Sequence, residues 1–101
     1  MEEDDVPSPP AGFDWDPLKY AQNVVKHGIR FDDVVRVFAD PLGFDFEAQD
    51  GEDEARWVWL GALFEIVLYT VYTLRDNGAT TRIISSRRAN KRETDAYYRG
   101  S

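Results

Sequence analysis

The spacing of apolar positions changes period partway along the chain, and that change divides it into elements. After Asp16-Pro17, Leu18, Ala21 and Val25 recur at helical spacing. The aspartate is placed to cap free N–H groups, and proline takes the first helical position, where its missing N–H costs nothing. Gly28 suits a left-handed helix end, so a helix is predicted over about 17–27, with Asn23 and Lys26 on its solvent side. A second helix from 31 or 32 to 39 buries Val34, Val35 and Phe38 and stops at Asp40-Pro41, because the residue before proline avoids helical angles. The period then falls to two: Leu42, Phe44 and Phe46 alternate with Gly43, Asp45 and Glu47, as in a half-buried strand. A loop over 49–53 leads to a strand at 56–60, and Gly61-Ala62 leads to another at 63–74, rich in β-branched and aromatic residues. Asn77-Gly78 signals a hairpin into a fourth strand at 79–86. Asn90, with Glu93 three positions on, reads as the capping start of a short last helix near Lys91. The predicted class is α+β: two N-terminal helices, a four-stranded antiparallel meander with helices on one face, and a short C-terminal helix.

At 101 residues and 43% hydrophobic, the chain is one domain with a small core, so any active site is a shallow groove. There is no cysteine, which removes disulfides and thiolate metal sites. The opening MEEDDVPSPPAG is too acidic and proline-rich for a signal peptide. Residues 1–12 are predicted to be a disordered acidic tail and 13–101 the folded domain. No apolar run approaches a membrane span, and a cytoplasmic protein with no membrane partner is expected.

Charge changes the picture most. The chain carries a formal −7, yet residues 82–101 hold six Arg or Lys against two acids. This asymmetry suggests an anionic partner at one end. Arg87, Arg88, Lys91 and Arg92 crowd a helix N-terminus, where acids are normally favoured, and such repulsion is relieved by an anion settling among the charges. Glu93 can relieve one charge, and Asp95 can pair with Lys91 or Arg92. The bland alternative is a solvated basic helix end. Strand alternation puts Arg82, Ile84 and Ser86 on one face and Ile83 and Ser85 on the other, so with Ile83 in the core Arg82 lies on the open face near Arg87. Arg56 either joins it as a phosphate platform or pairs with Asp45 or Glu47. His27, the sole histidine, is either a general acid or base or a helix-end cap. Tyr97 and Tyr98 read first as core and rim aromatics. Glu52, Asp53 and Glu54 look like a solvated turn, so no metal site and no cofactor are expected.

These residues together resemble a known family. Phe13-Asp14-Trp15-Asp16-Pro17 with Lys19, Asn23, Lys26-His27-Gly28 and Phe31, Phe38-Ala39-Asp40-Pro41-Leu42, Glu54, Arg56-Trp57, Gly61 and Tyr72-Thr73 are similar to the BrnT toxins. So are Arg82-Ile83-Ile84-Ser85-Ser86-Arg87-Arg88-Ala89 with Lys91, Glu93 and Tyr97. The resemblance covers nearly all of the predicted folded part. Ser86, where the family usually has alanine, Asp95 and the acidic tail depart from it. It implies a RelE-like fold, endoribonuclease activity that blocks translation, and neutralisation by a BrnA-like antitoxin with a ribbon-helix-helix DNA-binding part, as a heterotetramer.

Metal-independent cleavage requires proton transfer and stabilisation of charge on phosphate oxygens. On that reading Arg82, Arg87 and Arg88 stabilise charge, Lys26 or His27 moves the proton, Tyr97 positions, and Arg56, Lys91 and Arg92 bind RNA. The rival is a non-catalytic module that holds an antitoxin or nucleic acid through the same basic surface and the sheet edge. A DNA-reading regulator fits less well, because the basic residues stop after barely one helical turn.

Overall fold

A computed structural model describes residues 6–48 and 55–100. The strands and α-helices follow in order: β1 (Phe13–Trp15), α1 (Pro17–His27), α2 (Phe31–Val37), β2 (Phe44–Glu47), β3 (Trp57–Leu63), β4 (Ile66–Arg75), β5 (Thr80–Arg88) and α3 (Lys91–Arg99), with a 3-10 turn over Asp76–Gly78 between β4 and β5. The loop predicted over 49–53, with the acidic turn at 52–54, lies outside the described residues, as do residues 1–5 of the predicted tail. Of the rest of that tail, Val6 packs against the main core, and the Pro7 carbonyl accepts a hydrogen bond from Trp15 Nε1 at 3.2 Å.

Helix limits follow local chemistry. The Asp16 side chain accepts from the Leu18 N–H and Pro17 opens α1, while Gly28 closes it at φ 71° with its N–H on the Val24 carbonyl. Asn90 and Glu93 form the reciprocal capping box that starts α3.

The sheet corrects the predicted four-stranded antiparallel meander. It has five strands in the order β1-β5-β4-β3-β2, and β1 runs parallel to β5, with Asp14 opposite Arg82. A three-residue strand has no hydrophobic period of its own; only its distant partner makes it one. Nor do all helices share one face. Phe31, Val34 and Val37 of α2 pack with Tyr20 of α1, Trp15, Leu68 and Ile83 on one side, whereas Tyr97 of α3 packs on Leu60 and Val67 on the other. Each fully buried apolar side chain here contributes roughly 1.5–3 kcal/mol.

Gly61-Ala62, predicted to break the chain between strands, lies within β3. A Cβ on Gly61 would meet the Val37 carbonyl oxygen at 2.8 Å, so glycine lets α2 settle on the sheet. The turn falls instead at Phe64 and Glu65, both left-handed, at φ 51° and 69°. Asn77, at φ 58°, takes the predicted β4–β5 connection.

A further correction concerns the faces of α1. Leu18 and Val25 are 52% and 79% exposed, whereas Tyr20 and Asn23 are buried. Asn23 is held by its polarity: Oδ1 accepts from the Ser86 N–H at 3.0 Å, and Nδ2 donates to the Ser86 carbonyl at 2.9 Å and the Ile29 carbonyl at 3.0 Å. One amide thereby satisfies strand backbone that no neighbouring strand covers. Around it β5 carries a bulge: Ser85 pairs with Val71 and Ile83 with Tyr72, leaving Ile84 without a partner. The bulge overturns the predicted alternation, so Ser86 shares the buried face with Ile83, its Oγ 2.9 Å from Thr70 Oγ1.

Among the described residues no helix is long and apolar enough to cross a membrane. Replacing Asn23 by alanine strands three backbone groups and is expected to cost about 2–4 kcal/mol in urea unfolding, whereas Val25→Ala on the exposed face should stay within about 0.5 kcal/mol.

Candidate phosphate-binding site

The open edge of β5 beyond Ile83, where β1 has ended, faces α1. Between them lies a cavity of about 380 Å³ whose polar lining includes Lys19, Gln22, Lys26 and His27 from α1 and Tyr69 and Arg87 from the sheet. Lys19, Gln22 and Lys26 recur at intervals of three and four residues, so one helical face presents all of them. Among the described residues no Asp or Glu lines the cavity.

Arg87 is the best-positioned cation of the group. Its Nη1 and Nη2 donate to Glu93 Oε1 and Oε2 at 2.8 and 3.0 Å, and its guanidinium carbon sits 4.0 Å from the centre of the Tyr69 ring. The pair with Glu93 raises the guanidinium pKa above its ordinary value. Glu93 also accepts from the Asn90 N–H at 2.8 Å, so the carboxylate that orients the arginine caps α3 as well. Burial first, then the charges of Lys26 and Arg87, push the His27 pKa below its ordinary 6.5. The imidazole is therefore neutral near pH 7 and able to take a proton.

The arginines predicted to converge do not meet in one place. Arg82 shares the face of Arg87 but lies five residues back along β5, roughly 15 Å away, in an ion pair with Asp14 on β1. Arg88 points to the opposite face, into a second cleft that His27 also lines. Arg56 precedes β3 at the Arg82 end of the sheet, since Trp57 pairs with Tyr72 and Arg82 with Thr73. Lys91 pairs with Asp95 at 2.9 Å in solvent, and Arg92 borders a separate groove beside Phe44 and Phe46. Tyr97 is buried; its hydroxyl donates to Asp40 Oδ2 at 2.5 Å, and burial followed by that contact pushes its pKa up to about 12. It anchors α3 to the start of the sheet and lines none of these cavities. Of the predicted set, only Lys26, His27 and Arg87 come together.

Gln22 and Tyr69 join them without having been singled out, as does Lys19, which carries the family resemblance but is not among the predicted site residues. The seven-residue interval from Lys19 to Lys26 carries a signal for Lys19, whereas Tyr69 becomes visible only from its pairing with Arg87 across β4 and β5. Among the described residues no group of His, Asp or Glu side chains is placed to hold a metal ion.

The cavity thus brings Lys19, Lys26 and Arg87 around a titratable imidazole, on a mixed sheet flanked by helices. Residues 15–93 match the family described as the ribonuclease toxin, BrnT, of type II toxin–antitoxin systems, and the chain belongs to that family. No curated protein matches the chain. Membership in a type II system implies an antitoxin partner.

Glu93 gives the site a pH signature. The Arg87 contact, opposed by burial and assisted by the Asn90 N–H, holds the Glu93 carboxyl below its ordinary 4.5. A carboxyl depressed on folding adds stability above its unfolded pKa, and that stability is lost as pH falls through the folded value. Glu93→Gln is thus expected to destabilise the protein by about 1–2 kcal/mol at pH 7 in denaturant melts. The difference from the parent should close at pH values below the ordinary carboxylate range.

Proposed function

We propose that the domain, taken as residues 13–101, is a metal-independent, RelE-like endoribonuclease acting in the cytoplasm, and that it cleaves RNA at the cavity between α1 and β5. The observation that supports this most is the set Lys19, Lys26 and Arg87 around His27, in a lining without a carboxylate among the described residues. A phosphodiester would bring negative charge to Lys19 and Lys26, while Glu93 already pairs with Arg87. In the proposed step the 2′-oxygen bonds to phosphorus while the bond from phosphorus to the 5′-oxygen breaks. His27 takes the 2′-hydroxyl proton, and Lys26 protonates the departing 5′-oxygen, leaving a cyclic phosphate and a 5′-hydroxyl. Arg87 and Lys19 face the charge that grows on the non-bridging oxygens, and the planar guanidinium matches their geometry. Arg82, well back along β5, and Arg88, on the opposite face of the strand, do not share that phosphate, and we assign them to neighbouring nucleotides. Arg56, Lys91 and Arg92 lie outside the cavity and would meet RNA only along the flanking strand. Tyr97 acts through the placement of α3.

Cleavage of messenger RNA would inhibit translation, and a BrnA-like antitoxin with a ribbon-helix-helix part, in a heterotetramer, would hold the toxin silent. The alternative of a binding module without catalysis gains some support from Glu93, which already occupies both terminal nitrogens of Arg87.

RNA cleavage by the purified chain, with and without ribosomes, separates the two. Arg87→Ala is expected to lower the rate by roughly 10²–10³. His27→Ala should lower it by roughly 10²–10⁴ and abolish the acid limb of the pH–rate profile, which the depressed imidazole pKa places below pH 6.5. Equal, negligible cleavage by the parent and both variants would leave the binding module.

A further inference from the structure

The second cleft, of about 220 Å³, shares His27 as a wall with the phosphate cavity but has a different character. Its floor is apolar, from Ile29, Leu63 and Leu68, and besides His27 its polar side chains among the described residues are one carboxylate, Asp33, and one guanidinium, Arg88. Neither side chain forms a hydrogen bond or ion pair among the described residues. Phe64 borders the cleft while 75% exposed, at a left-handed φ of 51° that a bulky side chain rarely adopts. The Arg36 guanidinium sits 5.0 Å from the centre of its ring. An aromatic side chain held out in solvent at a conformational cost offers a face on which a planar ring can stack.

We infer that this cleft takes the guanine base of the nucleotide adjoining the phosphate held between α1 and β5. The inference rests on the ribonuclease reading only for the position of that phosphate. A carboxylate beside the cleft disfavours a second phosphate, whereas the apolar floor suits the face of a base. Guanine alone among the bases presents two adjacent donors, which a carboxylate accepts together, and two adjacent acceptors, which a guanidinium meets together. Adenine and cytosine offer one donor group beside one ring acceptor, and uracil flanks a single donor with acceptors. Because β5 alternates, Arg87 and Arg88 serve the two faces of its open edge, and a nucleotide wrapped around that edge past His27 brings its phosphate to one and its base to the other.

Titration of the full chain with guanosine and adenosine 3′- and 5′-monophosphates, followed by amide chemical shifts, tests this directly. Guanosine monophosphate should bind roughly tenfold tighter and shift the amides of Ile29, Phe64 and Leu68. Asp33→Asn and Arg88→Gln, both at exposed positions, should each bring its affinity down to that of the adenosine nucleotide, which should itself change little. Equal affinities for the parent, no shifts at the cleft at millimolar nucleotide, or a guanine preference that survives both substitutions would overturn the inference. Cleavage mapping keeps the two proposals apart. Cutting without regard to guanine would sink this one and spare the ribonuclease, whereas guanine preference in binding without any cutting would do the reverse.

Discussion

One buried amide decides how the two halves of the molecule meet. Asn23 stands on the helix face that packs on the sheet, and every hydrogen bond it makes there goes to backbone that would otherwise be stranded: Ser86 on β5 and Ile29 in the turn between the helices. The geometry leaves α1 little choice of rotation. With Asn23 pointing inward, Lys19 and Lys26 are carried to the rim of the cavity and His27 to the wall between the two clefts. An apolar residue at this position would pack but would leave the strand edge unsatisfied, a heavier cost than the hydrophobic gain offsets.

A second polar hub works at the far end of the sheet. The Asp40 carboxylate accepts from the Leu42 and Ala62 N–H groups and from the Tyr97 hydroxyl, joining the end of α2, strand β3 and α3. Glu93 does the same on a smaller scale, serving the start of α3 and Arg87 at once. The last helix is therefore fixed at its start by Glu93 and further along by Tyr97, and the arginine of the cavity inherits that rigidity.

Much of this was legible in the sequence where the signal is local. Asp16-Pro17 and Gly28 set both ends of α1 at the predicted residues, and the Asn90–Glu93 box opened α3 where expected. Non-local features were hidden. β1 is a strand only because β5 lies beside it, and the choice of Asn23 over Leu18 and Val25 for the buried face runs against hydrophobicity. The bulge at Ile84 is likewise invisible to a strict two-residue period, and it decides which arginines share a face. Five cations close in sequence thus disperse over several surfaces, and the residues that do gather, Lys19, Lys26, His27 and Arg87, come from two elements distant in the chain.

The contrast between the cationic cavity and a chain of net charge −7 shapes how a polyanion meets this protein. Within about one ionic screening length the net charge would repel the proposed RNA substrate, and an approach aligned with the α1–β5 opening would meet attraction. On that reading encounter would be filtered by orientation before any contact forms. Moderate salt would damp the longer-range repulsion more than the short-range pull inside the opening, so association with the proposed RNA would quicken with ionic strength before it slows, the reverse of proteins that bind nucleic acid through a broadly basic face.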